Sequence, residues 1–349
     1  MSNMRKTSKK LICAFLSVLL LLLVAIPINA AKPKETTEVL LGGCLFGLKM
    51  QTDGVPIVGI DKVETEIGAK APAYDAGIKL KDVIVKINGK TVSSVKDVLD
   101  QINKSNGSAL QFTVRRNGVE MTFNVVPQKG VDGIYHAGIW IRDSAAGIGT
   151  ITYIDPKTNE FAGLGHGICD SDTCSLLPIS RGTVTDVELQ GVVKGQNGIP
   201  GEIKGAFKGG KIGSLVKNSS CGVYGVYAVL PSGVNEIIKV AKNDEAHEGK
   251  ATIRCSVTGK SVDYEIEITK ITPKSENGKN FTIKVTDPTL LKITGGIVQG
   301  MSGSPIVQDG KLIGAVTHVT VNDPTKGYGI FIENMLNATS VARNELPAA

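Results

Sequence analysis

Beyond residue 40 the apolar residues rarely run long. They alternate with polar ones over six to ten positions and then stop at a glycine. Between Gly138 and about Asn337 this rhythm repeats through GIGTITYIDP, NEFAGLGHGI, TVTDVELQGVVKG, EIKGAF, GVYGVYAV, KATIRCSVTG, SVDYEIEITKI, NFTIKV and KLIGAVTHVTV. Period-two alternation broken by turn residues predicts short strands, and many such strands in succession predict an antiparallel barrel or sandwich. Two stretches have helical spacing instead. In SVKDVLDQINKS the residues Val95, Val98, Leu99 and Ile102 fall on one face, and VNEIIKVAKND predicts a helix over 234 to 244.

The N-terminus follows another pattern. Arg5, Lys6, Lys9 and Lys10 precede the uninterrupted apolar run LICAFLSVLLLLLVAIP, and Ala30 offers a small residue at which a signal peptidase could cut. That layout predicts an export signal over residues 1–31, cleaved or kept as an anchor. A polar tether, 32–39, follows it. The remaining chain is therefore expected to be exported across the cytoplasmic membrane.

Residues 40–128 read as a unit of their own. LLGGCLFGLKM places glycines ahead of an apolar strand; PIVGIDK, the short helix Ala73 to Ile78 and KDVIVKINGKTV follow. The pair Asn117-Gly118 marks a hairpin between LQFTVRR and VEMTFNVV. The block resembles a PDZ domain of the α+β kind fused to bacterial proteases. On that resemblance Gly43, Cys44, Leu45, Phe46 and Gly47 form the loop that receives a peptide carboxylate on successive N–H groups, beside an open strand edge. A linker, 129–137, leads into a second domain, 138–349.

Composition refines this reading. In 349 residues, 41 glycines and an aromatic content of 5% favour turns and strands over helical bundles. The net charge of +6 has no dense basic block beyond the N-terminus, so nucleic-acid binding is not expected. Outside Cys13, the five cysteines 44, 169, 174, 221 and 255 cannot all pair. His166, Cys169 and Cys174 lack a fourth ligand at a usual zinc spacing, so no metal and no cofactor is expected. A metal- or thiol-dependent site there is the weakest alternative.

The chemistry centres on GGIVQGMSGSPIVQDGKLIGAVTHV, Gly295 to Val319. Ser302 lies between glycines just before a strand, where a tight turn can expose its hydroxyl; a hydroxyl nucleophile then needs a base. The N–H groups of Gly300 and Ser302 could receive a developing oxyanion. His166, in FAGLGHGICD, is flanked by glycines and is the expected base. His318 is expected to line the pocket, and His136 and His247 to lie on the surface. For the group that orients the imidazole the candidates are Asp170, Asp172, Asp186 and Asp287; Asp287 is preferred, with Asp170 in reserve.

Together GLGHGICDSDT, the long C-terminal run TGGIVQGMSGSPIVQDGKLIGAVTHVTVNDPTKGYGI and the PDZ block resemble the stage IV sporulation protein B peptidases of endospore-forming bacteria. The resemblance covers nearly the whole chain after the signal. It implies a mainly β protein with a trypsin-like antiparallel β-barrel serine peptidase domain, and a catalytic pair that maps to His166 and Ser302, with Asp287 before the TGG segment. It further implies export into the forespore intermembrane space, self-cleavage, and cleavage of a membrane-bound inhibitor of an intramembrane metalloprotease. That cleavage triggers processing of a late sporulation sigma factor. One departure is the short span between Ala30 and the PDZ block, which leaves little room for self-cleavage sites. The alternative function is an exported PDZ scaffold with an inactive peptidase-like domain.

Overall fold

The computed structural model describes residues 37–275 and 278–345, with side chains through Thr339. The expected export signal and most of the tether lie outside the described residues. Two strands open the structure, β1 (Glu38–Leu41) and β2 (Leu45–Thr52). The PDZ sheet follows, with β3 (Val55–Ile60), β4 (Val83–Ile87), β5 (Leu110–Arg116), β6 (Val119–Val125) and β7 (Ile139–Ile141) in the order β7-β3-β4-β5-β6, and the short strand Lys90–Thr91 as a sixth, paired with β4. Two helices accompany it, α1 (Pro72–Asp75) and α2 (Val95–Lys104). Ser94 starts α2 as a capping box: its Oγ accepts from Asp97 N at 3.1 Å, and Asp97 Oδ2 accepts from Ser94 N at 3.0 Å. Val98 and Ile102 enter the PDZ core with Ile57, Ile84 and Phe112, whereas Leu99 stays 47% exposed. The Asn117-Gly118 turn is formed as expected, with φ of 50° and 82°.

The chain then returns to the strands it began with. β8 (Ser144–Ile154) pairs antiparallel with β2 from Ser144↔Gln51 to Thr150↔Leu45, so the PDZ domain is inserted at the tip of a barrel hairpin. The ring continues through β9 (Glu160–Gly163), β10 (Ile179–Thr185), β11 (Gly213–Ser219) and β12 (Gly222–Tyr227). In the order β8-β9-β12-β11-β10-β2 it closes on itself as six strands around Phe46, Ile151, Phe161 and Leu215. By pairing, residues 45–52 thus belong to this barrel and residues 38–41 flank it along β8, although the sequence places Leu40 onward in the PDZ block.

A connecting strand, β13 (Ile237–Val240), lies between β1 and the second barrel. The helix expected over 234–244 is not formed. The segment alternates instead, with Ile238 and Val240 buried and Ile237 59% exposed, because the open edges of its two neighbours take its backbone groups. The second ring comprises β14 (Gly249–Cys255), β15 (Val262–Ile271), β16 (Phe281–Val285), β17 (Pro305–Gln308), β18 (Lys311–Thr320) and β19 (Asp323–Phe331). It closes in the order β18-β17-β14-β15-β16-β19 around Ile253, Phe281, Ile306 and Phe331. Helix α3 (Pro288–Thr294) precedes the Ser302 turn, and α4 (Ile332–Glu345) follows the last strand.

Candidate active site

Ser302 sits in the turn that enters β17 of the second barrel. What fixes this turn is contact with the first barrel. Gly303 has φ of 93°, and a Cβ there would lie 2.0 Å from Thr150 O and 2.4 Å from Leu164 N. Only a residue without a side chain allows that approach. Two threonines of β8 then bind the turn: Thr150 N donates to Ser302 O at 2.9 Å, Thr150 Oγ1 to Gly300 O at 2.8 Å, and Thr152 Oγ1 to Gly303 O at 2.8 Å. Both threonines are fully buried, so these are bonds of high consequence.

Within the turn, Met301 N donates to Val298 O, Gly303 N to Val316 O and Ser304 N to Met301 O. The N–H groups of Gly300 and Ser302, expected as oxyanion donors, make no backbone bond among the described residues. The Ser302 hydroxyl donates to Thr317 O at 2.9 Å.

His166 comes from the other barrel, just after β9. The chain reaches it through Leu164 and Gly165, both at φ of 67°, which for leucine is a strained conformation. The kink carries the ring to β18, where a Cβ on Gly165 would be 3.1 Å from Thr317 Cγ2. His166 Nδ1 is 2.9 Å from Gly167 O. A carbonyl can only accept, so this contact places the proton on Nδ1 and leaves Nε2 as the free base. Burial lowers the His166 pKa, against the raising effect of that carbonyl.

The His318 ring packs 4.9 Å from His166, centroid to centroid, at 33°. Its pKa is pushed down to about 4, first by desolvation and then by the neighbouring His166 and Lys279. Ser302, His166, His318 and Gly300 line one cavity of about 400 Å³, walled by Leu48, Ile148, Ile168, Ile297 and Val298.

The carboxylates expected as third member are placed elsewhere. Asp287 caps α3: its Oδ1 accepts from Thr289 N at 2.8 Å and Leu290 N at 2.9 Å, and its Oδ2 from Glu265 N at 3.4 Å. None of these bonds reaches His166. The physical reason is local, since an aspartate ahead of a proline at the start of a helix is well placed to serve its unsatisfied N–H groups. Asp170 is turned to Arg142, with Nε 3.0 Å from its Oδ2. Asp172 also faces Arg142, and Asp186 lies in a separate pocket with Cys44 and Leu189. The contact with His166 Nδ1 that was foreseen for a carboxylate is made by the Gly167 carbonyl. Sequence reasoning missed that group, along with Thr150 and Thr152; two polar residues on one face of an otherwise apolar strand were the available signal. Among the described residues His166, Cys169 and Cys174 do not gather into a metal-ligating group.

The expected carboxylate loop also lies elsewhere. Gly43 N donates to Ile151 O at 2.8 Å, Cys44 O accepts from Ile151 N at 3.0 Å, and Gly47 pairs on both sides, with Ile148 and Thr185. Leu45 starts the same paired strand, Phe46 is fully buried against Phe161, and burial pushes the Cys44 thiol up to about 12. No strand edge is open there. The PDZ sheet ends in β7 on one side and β6 on the other, and between β7 and α2 lies a cavity of about 440 Å³ lined by Leu99, Ile102, Tyr135, Ile139, Trp140 and Ile141.

The family model of the SpoIVB peptidase S55 matches residues 133–336, and that of the PDZ domain residues 42–126. Serine protease HTRA1 of Xenopus tropicalis is 34% identical over 87 residues, 25% of this chain and 19% of that protein. Serine endoprotease DegS of Salmonella typhimurium is 35% identical over 75 residues, 21% and 20% of the two chains. Zinc metalloprotease RasP of Geobacillus kaustophilus is 32% identical over 79 residues, 22% and 17%. The chain spans about a fifth of the length of these relatives. Among solved structures, the Rv3671c protease of M. tuberculosis in its active form overlays with a TM-score of 0.35 at 13% identity, covering 59% of this chain and 78% of that one. The HtrA-type protease AlgW with a decapeptide overlays with a TM-score of 0.35 at 13% identity, covering 58% and 55%. With its S55 match covering more than half of its length, the chain belongs to the SpoIVB peptidase family.

Proposed function

We propose that this protein is a serine endopeptidase whose nucleophile is Ser302 and whose base is His166. One observation carries the reading: two glycine-framed turns, one from each barrel, present a serine hydroxyl and a half-buried imidazole, its pKa lowered by desolvation, to the same cavity. Rotation of the Ser302 side chain away from Thr317 O frees its hydroxyl for His166 Nε2, which takes the proton during attack on the scissile carbonyl. The imidazolium then returns that proton to the leaving amine. The N–H groups of Gly300 and Ser302 receive the oxyanion, and the Gly167 carbonyl keeps the ring in the required tautomer.

The groove between β7 and α2 takes an extended peptide as an added strand, with an apolar side chain against Leu99 and Trp140. Family membership supports the finer reading. In it the protein is exported into the forespore intermembrane space, trims itself, and cleaves a membrane-bound inhibitor of an intramembrane metalloprotease that processes a late sporulation sigma factor.

A second reading has one observation in its favour: the hydroxyl rests on Thr317 O and, among the described residues, no carboxylate meets His166, as an inactive scaffold would allow. A time course of the protein beside Ser302→Ala separates the two, read by intact mass and by a serine-directed phosphonate. Shortening and labelling in the parent alone support the peptidase. A folded parent that stays intact and unlabelled supports the scaffold.

A further inference from the structure

The loop that follows His166 is held from outside its own barrel. At its base Leu177 N donates to Ile168 O at 3.0 Å, and the Asn218 amide clamps both strands, donating to Ile168 O at 2.8 Å and Leu177 O at 2.9 Å. Asp170 builds the tip. Its Oδ1 accepts from Asp172 N at 3.1 Å, Thr173 N at 2.9 Å and Thr173 Oγ1 at 3.1 Å, while its own N–H donates to Ser175 O at 2.9 Å. The other carboxylate oxygen, Oδ2, is buried and receives no aligned hydrogen bond among the described residues. What it faces is Arg142, with Nε 3.0 Å away. Nη2 of the same guanidinium reaches the exposed Asp172 at 3.2 Å.

Arg142 belongs to the PDZ side of the hairpin. It directly follows β7, and its N–H donates to Pro56 O of β3 at 3.1 Å. The next residue, Asp143, accepts from Val95 N at the start of α2 at 2.9 Å, and its carbonyl accepts from Thr52 N at 2.9 Å. The tip in turn reaches the histidine: Leu176 occupies the space beside Gly167, where a Cβ would be 2.3 Å from Leu176 Cδ1, and Gly167 O holds His166 Nδ1.

We propose that Arg142 is a positioning residue for His166: by neutralising the buried Asp170 it fixes the loop that carries the Gly167 carbonyl, and it ties that loop to the PDZ domain. The inference rests on the peptidase reading for its kinetic consequence, though not for its structural one. Three hydrogen bonds serve Oδ1, but Oδ2, on a side chain only 1% exposed, has the Arg142 guanidinium as the partner that covers it. Without Arg142 the tip must open or take up a proton, and either displaces Gly167.

The test uses the full chain with an aminoalkyl diphenyl phosphonate, whose saturation kinetics separate the inactivation rate constant from binding. It is paired with an NMR titration of the His166 ring. Arg142→Ala should slow inactivation roughly ten- to a hundredfold with binding within about twofold, as expected of a small displacement of a reacting group. Arg142→Lys should recover most of the rate, and Asp172→Asn, which removes only the exposed partner, should lose a few-fold. In Arg142→Ala the His166 titration should move up toward its ordinary value as the loop admits water. A folded Arg142→Ala with unchanged inactivation and unchanged titration overturns the proposal, as does a rate loss that lysine fails to rescue. If the parent is not labelled at all, the peptidase reading fails while the titration still decides the role of Arg142.

Discussion

Replacing Thr150 with valine removes one oxygen from the interior and little else. The side chains have nearly the same shape and the site is fully buried, so no cavity opens. What is lost is the 2.8 Å bond from Thr150 Oγ1 to Gly300 O. Breaking it leaves a buried carbonyl without its partner, a cost of about 1–3 kcal/mol. At about 1–2 °C per kcal/mol for a chain of 349 residues, the melting temperature should fall by roughly 1–6 °C. The catalytic consequence is separate. That bond fixes the rotation of the Gly300–Met301 peptide, which stands between the two proposed oxyanion donors. Misplacing a donor costs up to about a hundredfold in the acyl-transfer step, so phosphonate inactivation should slow by roughly ten- to a hundredfold with binding nearly unchanged. Thr150→Ser, which retains the hydroxyl, should recover the rate. Scanning calorimetry and inactivation kinetics on the same samples decide the matter. A Thr150→Val variant that melts lower and yet reacts at the parent rate refutes the link between β8 and the oxyanion site. One that melts with the parent refutes the bond itself.

Four further outcomes are expected. Because burial lowers the His166 pKa, the neutral base persists below pH 6.5, and the acid limb of inactivation should have its midpoint below that value; a midpoint well above it contradicts a desolvated imidazole. The folded-state pKa values of His166 and His318 both lie below the unfolded value, so at these two sites the unfolded chain binds more protons, and the stability linked to them should fall as pH drops from about 6.5 towards 4; thermal melts of a His247→Gln background, free of the opposing upward shift of the exposed His247, read the slope. Asp287→Ala should lower stability by about 1 kcal/mol through loss of the α3 cap, and Asp287→Asn, itself a good cap, should restore stability and activity together. Inactivity of a well-capped Asn variant would return the imidazole-orienting role to Asp287. Trp140 is the one tryptophan of the chain and lines the β7–α2 cavity. An extended peptide with an apolar C-terminal residue should therefore shift its fluorescence, and Leu99→Glu should abolish the shift; an unchanged spectrum at saturating peptide places the ligand elsewhere.

The sequence by itself determined a good deal. Period-two alternation, helical spacing and glycine placement are local properties, and they foretold a strand-rich chain, the Asn117-Gly118 hairpin and the helix at Val95. The glycines around Ser302 and His166 marked both turns, since backbone that must bend sharply and pack closely leaves that trace in composition. The helix at 234–244 could not be read correctly, because apolar spacing over so short a segment suits either period and the choice fell to the free edges of β1 and β18. Only the tertiary structure decided that β2 pairs with β8 across the whole PDZ insertion, which moved Gly43 through Gly47 from an expected ligand loop into a barrel wall. It also decided which groups meet His166. A carboxylate seeks the nearest unsatisfied donors, so Asp287 went to a helix start and Asp170 to Arg142, leaving the Gly167 carbonyl to hold the ring. Pairing partners and counterions are set by contacts between residues far apart in the chain, and a linear pattern carries no record of that distance.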